Sequence, residues 1–173
     1  MRLTSEFFNR DTVTVARELL GKYLVRRMGN KVIAAKITET EAYCGPDDLA
    51  SHASKGLTNR TKLMFGPPGF TYVYLIYGMY HCLNFVTEAP GFPAAVLVRG
   101  VELPHNQGNG PGKLCREFKI DKDFNGLPSG NKKLWIEDRK EEVPNSHIKV
   151  GKRIGIEYAG DWQHKLWRFT LKK

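Results

Sequence analysis

The first regular pattern of apolar and polar positions along the chain lies between residues 11 and 21. Val15 and Leu19 fall at helical spacing there, and they follow Asp11 and Thr12, either of which suits a helix N-cap. Gly21 comes directly after the last apolar position and is typical of a helix end. The pattern therefore predicts a short helix over this segment.

Two runs of β-forming residues follow and meet at Gly29-Asn30, a pair typical of a hairpin turn. The second run is predicted to span residues 32 to 41. Because side chains alternate along a strand, its apolar residues at 33, 35 and 37 should share one face with Glu39 and Glu41. A carboxylate that continues a core-facing row is desolvated, which raises its pKa and makes it a candidate general base. The alternative is that the strand end twists outward and both glutamates are ordinary surface acids.

Residues 43 to 69 are rich in Gly, Pro, Asp, Ser and Asn, and we predict a loop with a helical turn near residues 49 to 53. Loops beside strand ends are where functional sites are often built. His52 lies in this loop and is a candidate base, metal ligand or packing residue. The five histidines show no HxxxH or HxH spacing, so the sequence does not indicate a metal site.

The segment YVYLIYGMY, residues 72 to 80, holds four of the seven tyrosines. The pattern predicts a β-hairpin with its tip at Gly78-Met79. Tyr72 and Tyr74 then share one strand face, while Tyr77 lies beside the tip, where a ring makes poor core material. Core packing is the alternative for some of these rings, provided that each buried hydroxyl finds a hydrogen-bond partner. Otherwise the rings suit stacking on flat heterocycles.

The composition is that of an ordinary soluble globule, and 173 residues predict one domain over residues 1–173. The net charge of +9 and the pI near 9.5 are typical of a protein with a polyanionic partner, such as nucleic acid or an anionic membrane. A generally cationic surface without such a partner explains the charge about equally well. The segment from residue 36 to residue 52 is a net-acidic island in this basic chain. Carboxylates do not help a protein to bind a polyanion unless they perform chemistry, and the alternative for Asp47 and Asp48 is that they are solvated loop acids.

The three cysteines, at positions 44, 82 and 115, are odd in number and form no CxxC pair. The sequence thus indicates neither a disulfide framework nor a thiolate zinc site, and it favours a reducing, intracellular setting. The N-terminus lacks the apolar run of a secretion signal, and no stretch approaches the roughly 20 apolar residues that span a bilayer. A soluble protein without a membrane partner is expected.

Several blocks, in order along nearly the whole chain, resemble the alkyladenine (3-methyladenine) DNA glycosylase family. They are TETEAYCGPDDLASHAS, MFGPPGFTYVYLIYGMYHCLN, AAVLVRG, GPGKLC, KRIGIEYAGDW and WRF. The resemblance implies an α+β fold: a single compact domain around a curved, mainly antiparallel sheet with flanking helices. It also implies a monofunctional glycosylase of base-excision repair that hydrolyses the N-glycosidic bond of alkylated or deaminated purines, without a metal or cofactor.

The resemblance also implies roles for individual residues. Glu41 corresponds to the family's general base, which activates the water that attacks C1′ of the sugar. Arg99 and the backbone of Ile154 correspond to positions that help to hold that water. The flipped base is sandwiched by the residues corresponding to Tyr43, His52 and Tyr74.

Two further positions concern lesion choice and duplex contact. Asn84 corresponds to the residue that disfavours the guanine amino group, and Tyr77 to the side chain inserted into the minor groove. Phosphate contacts are expected from Arg60, from Lys113 with its neighbouring backbone, and from basic residues of the C-terminal segment. A solvated surface charge is the alternative for each of these cations.

The partner implied is double-stranded DNA that contains damaged purines, bound by a monomer. The protein would be intracellular and DNA-associated, in the cytoplasm or nucleoid if the source is bacterial. Two other functions are left open by the residues. One is a non-catalytic nucleic-acid-binding module with an aromatic stacking platform. The other is a carbohydrate-directed glycoside hydrolase that uses Glu39 and Glu41 as its two carboxylates, although the basic charge and the tyrosine at the hairpin tip argue against it.

Overall fold

The helix predicted near the N-terminus is confirmed by the computed structural model, which describes residues 1–103 and 109–172. Helix α1 spans Ser5–Phe8 and helix α2 spans Thr12–Glu18. Asp11 is the N-cap of α2, because its carboxylate accepts a hydrogen bond from the Thr14 N–H at 2.7 Å. A third helix, α3, spans Pro111–Glu117.

Within the described residues, eight strands form one curled antiparallel sheet, in which six follow the order β3-β4-β5-β2-β1-β6. Strand β8 pairs with β2 and with β7. The strands are β1 (Tyr23–Met28), β2 (Lys31–Cys44), β3 (Thr71–Ile76), β4 (Tyr80–Val86), β5 (Ala94–Glu102), β6 (Leu134–Glu137), β7 (Ile148–Gly151) and β8 (Arg168–Leu171). The α+β fold with a curved, antiparallel sheet is confirmed.

Both predicted hairpins are confirmed. Met28 pairs with Lys31 across the Gly29-Asn30 turn, and Ile76 pairs with Tyr80 across the turn that holds Tyr77. Strand β2 is longer than its predicted range and lies inside the sheet. One edge of β2 pairs with β5, while the other pairs first with β1 and then with β8.

The main core lies on the face of the sheet that packs against α2 and α3. It includes Val15 and Leu19 from α2, Phe118 just after α3, and Leu83 and Phe85 from β4. The opposite face is covered by the loop between β2 and β3 and by the segment between β7 and β8, through two smaller apolar clusters. Short 3₁₀ helices lie in these connections at His52–Lys55, Lys62–Phe65 and Glu157–His164, and elsewhere at Lys122–Phe124 and Asn145–His147.

The predicted face of Glu41 is wrong, because the ladder between β2 and β5 is irregular. Ile37 pairs with Val101, Glu39 with Gly100 and Thr40 with Val98, so Thr38 and Arg99 each lack an opposite residue. An extra residue in a strand reverses which face the following side chains occupy. Ile37 therefore faces the main core, as Ala42 does beyond the irregularity, while Glu41 faces the opposite side.

The irregularity also explains why position 100 is a glycine. A side chain at Gly100 would bring its Cβ within 3.2 Å of the Glu39 Cβ and of the Thr38 Oγ1, so the two strands approach closely only because none is present. No helix in the described part of the chain is both long and apolar enough to cross a bilayer.

Candidate active site

Glu41 is a fully buried carboxylate, and protein donors hold both of its oxygens. Its Oε1 accepts a hydrogen bond from the Ile154 backbone N–H at 2.8 Å, and its Oε2 accepts one from the Tyr43 hydroxyl at 2.8 Å. Because a carboxylate oxygen can accept more than one hydrogen bond, capacity remains for a water molecule.

Arg99 stands beside this carboxylate on β5. Its Nε lies 3.5 Å from Oε1 of Glu41 and donates to Oε1 of Glu39 at 3.3 Å. Arg168 of β8 donates to the same oxygen of Glu39 at 3.2 Å. Arg99 and Arg168 thus share one carboxylate oxygen of Glu39. The bond to Glu39 holds the Arg99 guanidinium beside Glu41.

Burial raises the pKa of Glu41, and this desolvation outweighs the groups that favour its ionised form. Those groups are the Arg99 guanidinium, the Tyr43 hydroxyl and the Ile154 N–H, while the nearby charge of Glu39 acts in the same direction as burial. A carboxylate with a raised pKa accepts a proton more readily than a solvated one, as a general base must.

A pocket of about 470 Å³ lies on the sheet face away from the main core, and its lining includes Tyr43, Arg99 and Ile154, three residues that contact the buried Glu41. The volume suits a small flat ligand. The rings of His52 and Tyr74 meet edge to face at 4.5 Å, and Tyr72 stands 5.5 Å from Tyr74. The aromatic pocket residues named by the sequence analysis, Tyr43, His52 and Tyr74, all line this one cavity.

His52 is held in its neutral form. Its Nδ1 lies 3.1 Å from the Tyr72 hydroxyl, and desolvation, with the charges of Arg60 and Lys55, lowers its pKa to about 4. A neutral imidazole in the pocket wall does not repel a positively charged ligand. The structure therefore gives His52 a packing and hydrogen-bonding position, one of the three possibilities raised from the sequence.

This depressed pKa predicts a pH-dependent contribution of His52 to stability. Between pH 6.5 and about 4 the unfolded chain takes up a proton that the folded protein refuses, so stability is lost as pH falls through this window. We expect His52→Gln to flatten the decline of Tm over that range. The matched control is His147→Gln, which removes an exposed imidazole. An unchanged slope in His52→Gln would contradict the neutral assignment.

Asn84 lies in the pocket and is fixed by the backbone of the β3-β4 hairpin. Its amide nitrogen donates to the carbonyls of Tyr72 at 3.0 Å and of Cys82 at 3.4 Å. Among the described residues, no donor reaches its amide oxygen. The oxygen can therefore accept a hydrogen bond from a ligand, and its position is rigid because the nitrogen is committed.

Exposed aromatic side chains border the mouth of the pocket. Tyr77 is 84% exposed in the hairpin turn, with a left-handed φ of 51°, so it is not core material. Tyr80 and Tyr158 also line the pocket and are largely exposed. Neither ring was among the predicted site residues, although Tyr80 lies in the tyrosine-rich segment of residues 72 to 80.

The two cations named for phosphate contact lie near the site. Lys113 is exposed in the first turn of α3 and lines the pocket, as does Arg116 one turn later. The guanidinium of Arg60 lies 5.6 Å from the ring centre of Tyr74. Gly112 makes the approach of α3 possible, because a Cβ there would meet the Tyr80 ring at 2.9 Å.

Asp48 is not the solvated loop acid that the sequence suggested, although Asp47 is exposed. Asp48 and Arg153 form a fully buried ion pair, in which Nη1 and Nη2 of the arginine donate to the two carboxylate oxygens at 2.6 and 2.9 Å. The basic residues of the C-terminal segment are expected to contact phosphate, but Arg153 is buried and cannot do so. The two residues are 105 positions apart, and no local pattern pairs them.

No three His, Cys, Asp or Glu side chains cluster as a metal site requires within residues 1–103 and 109–172. One histidine, His105, lies outside the described residues.

Comparison with known proteins gives a consistent result. Residues 6–173 match the family model described as Methylpurine-DNA glycosylase (MPG). The chain is also similar to three bacterial proteins that share the name "Putative 3-methyladenine DNA glycosylase". They are from Anaeromyxobacter sp. (strain Fw109-5), Legionella pneumophila (strain Paris) and Clostridium perfringens (strain SM101 / Type A).

These similarities extend over almost the whole of each protein. The chain is 50% identical to the Anaeromyxobacter protein over 176 residues, which cover 99% of this chain and 90% of the relative. The identity is 46% for the Legionella protein and 43% for the Clostridium protein, with 99% of this chain covered in both and 94% and 96% of the relatives. The chain belongs to the methylpurine-DNA glycosylase family.

Proposed function

We propose that the protein is a monofunctional DNA glycosylase that takes alkylated or deaminated purines out of duplex DNA and hydrolyses their N-glycosidic bond. The observation that carries the proposal is the buried Glu41 carboxylate, held by Tyr43 and Ile154, which themselves line a pocket walled by aromatic rings. Membership of a family of DNA glycosylases supports the same conclusion. The proposal assigns residues 1–173 to one glycosylase domain that acts as a monomer in association with DNA.

The chemistry assigned to Glu41 follows from the bond that is broken. Cleavage of the bond between C1′ and the base nitrogen leaves positive charge on the sugar, which a nearby carboxylate stabilises. Glu41 takes a proton from water as the water oxygen attacks C1′, and the bond electrons leave with the base. Arg99 and the Ile154 N–H hold the carboxylate in place for this transfer.

The aromatic pocket accounts for selection of damaged purines. Alkylation at N3 or N7 makes a purine cationic, and electron-rich rings attract a cation at their faces. Tyr43 and Tyr74 supply such rings, while the neutral His52 adds no opposing charge. We assign Asn84 a steric role against guanine, because its amide is held rigidly by the Tyr72 carbonyl and cannot move aside for the extra amino group.

Tyr77 has the exposure needed to fill the space that an extruded base leaves behind. Enzymes that act on a base inside duplex DNA first remove it from the stack, at a cost of a few kcal/mol that is least for damaged pairs. An aromatic wedge offsets part of that cost. The exposed ring at the hairpin tip, beside the pocket mouth, fits this role.

The experiment that tests the proposed function uses duplex oligonucleotides with a single hypoxanthine or ethenoadenine. The protein should release the base and leave an abasic strand, which breaks only after hot alkali. An undamaged duplex of the same sequence is the control. Strand breakage without alkali would contradict a monofunctional reaction, and the absence of any abasic product from either lesion, or from an alkylated duplex, would contradict the function.

The Tyr43 hydroxyl provides a second test of the site. Tyr43→Phe keeps the ring but removes the donor on Oε2 of Glu41, and this hydrogen bond favours the ionised carboxylate. We expect the pKa of Glu41 to rise, so the acid limb of the single-turnover pH-rate profile should move to higher pH. Affinity for the lesion duplex should change little because the ring remains. An unmoved limb would contradict the assigned hydrogen bond.

A further inference from the structure

The buried ion pair of Asp48 and Arg153 lies directly behind the candidate catalytic carboxylate. Besides the two bonds to Asp48, Nη1 of Arg153 donates to the Ala42 carbonyl at 3.0 Å and Nη2 donates to the Trp162 carbonyl at 3.2 Å. Asp48 in turn accepts from the N–H groups of Cys44 and Ala50, each at 3.1 Å. The pair therefore joins the end of β2, the loop after it and the segment before β8.

Arg153 is the residue next to Ile154, whose N–H contacts Glu41. Ile154 is 48% exposed and Gly155 after it is also exposed, so neither residue anchors this part of the chain through burial. The anchor directly before Ile154 is Arg153, with a guanidinium that is fully buried, while the buried Ile156 holds the chain two positions after it. The position of the Ile154 N–H thus depends on how firmly Arg153 is held.

Arg153 also contacts the residue that binds the other oxygen of Glu41. Its guanidinium carbon lies 4.8 Å from the ring centre of Tyr43 and 5.0 Å from that of Trp167. Because Ala42 lies between Glu41 and Tyr43 in β2, the bond from Arg153 to the Ala42 carbonyl fixes the backbone that carries both side chains. A planar guanidinium suits this position, because it donates in its plane and packs through its faces.

We propose that Asp48 and Arg153 are positioning residues that hold the Ile154 N–H and the Tyr43 hydroxyl on the two oxygens of Glu41. This inference rests on the proposed function, since it assigns the pair a role in the water activation by Glu41. It differs from a purely structural role, because the pair fixes both donors that favour the ionised carboxylate.

We expect the other groups around Glu41 to remain in place when the pair is altered, because none of them is held by Asp48 or Arg153. Arg99 approaches from β5, with Glu39 and Arg168 bound behind it, while Tyr74 and Cys82 face the carboxylate from β3 and β4. Loosening Ile154 and Tyr43 therefore removes hydrogen bonds that lower the pKa of Glu41 and leaves its desolvation unchanged. The pKa should rise.

The test uses variants that keep the interior neutral overall. Removing one partner alone leaves a buried unpaired charge, whereas replacement of both by apolar groups of similar size is commonly tolerated. Asp48→Leu combined with Arg153→Met removes the pair, and Arg153→Lys retains the charge but loses the planar fork. The matched control is Asp138→Asn, which breaks the 2.8 Å ion pair with Lys22 at the far end of β1.

Two readouts are measured on each variant: the single-turnover rate of lesion excision against pH, and the titration of the Glu41 carboxyl by ¹³C NMR, assigned by its loss in Glu41→Gln. We expect excision to slow about tenfold or more in Arg153→Lys and in the double variant. The acid limb and the carboxyl titration should both move to higher pH, with Asp138→Asn unchanged.

The outcomes separate this inference from the proposed function. If the wild-type protein excises lesions but the Glu41 titration is unmoved in a folded Arg153→Lys or double variant, the pair is only structural and the inference is overturned. A double variant that does not fold, together with an Arg153→Lys variant of wild-type rate and titration, overturns it as well. If the wild-type protein excises nothing, the proposed function fails, while the carboxyl titration still tests the positioning.

Discussion

Replacement of Glu41 by Gln is expected to slow lesion excision about a thousandfold, the range typical for loss of a general base. Binding of the lesion duplex should stay close to wild type, because Gln has the same shape and its amide oxygen can still accept from the Ile154 N–H. The measurement is the single-turnover rate at saturating enzyme, with affinity measured in parallel. Glu102→Gln, which removes an exposed carboxylate further along β5, is the matched control.

The same variant should be more stable than the wild type at neutral pH. Burial raises the pKa of Glu41 above the ordinary 4.5, so folding favours its protonated form. The stabilising contribution of the carboxyl is fully present below pH 4.5 and is lost as pH rises through the folded-state pKa. The gain in Tm from Glu41→Gln should therefore be largest near neutral pH and shrink under acid conditions. A variant that is less stable at neutral pH would contradict this account of the site.

Tyr77→Ala is expected to weaken binding of a lesion duplex by about tenfold to a hundredfold, since stacking of a ring on a base contributes about 1–3 kcal/mol. Tm should hardly change, because the ring is 84% exposed and Ala replaces it at the same backbone conformation. Affinity is best measured in the Glu41→Gln background, where the lesion survives the experiment. Tyr77→Phe, which keeps the ring, is the control. In the same background it should bind the lesion duplex as tightly as the Glu41→Gln protein with Tyr77 intact.

A large loss of Tm in Tyr77→Ala would show instead that the ring supports the hairpin. Equal binding of Tyr77→Ala and Tyr77→Phe would show that the ring does not act as a wedge. The two results concern different features, since the first tests the exposure of the ring and the second tests its contact with the duplex.

Local patterns were sufficient to predict much of this fold. The capped helix after Asp11 and the hairpin turns at Gly29 and Gly78 depend on residues that are neighbours in sequence, so they can be read from a short window. The predicted face of Glu41 failed because strand alternation holds only in a regular ladder. The extra residues at Thr38 and Arg99 reverse the alternation on two strands at once, and Gly100 was the local sign of that irregularity.

The surroundings of Glu41 could not be derived from spacing because they depend on distant parts of the chain. Ile154, which donates to Glu41, is 113 positions away, and its position came only from family resemblance. Charged residues are usually exposed, so the local sequence of Asp48 indicates a solvated acid, and Arg153 belongs to a C-terminal segment whose basic residues are expected to contact phosphate. Their burial depends on a partner that only the folded chain brings close.

The most direct test of the central claim is the pH dependence of excision of a cationic lesion, 3-methyladenine, which lacks the amino group of guanine, by the wild type and by Glu41→Gln. This base leaves without a proton from the enzyme, so only the group that activates water should titrate. We predict that the wild-type rate rises along one acid limb with a midpoint above 4.5, whereas Glu41→Gln is about a thousandfold slower and has no limb. An acid limb that persists in Glu41→Gln, at a rate near that of the wild type, would show that Glu41 is not the base.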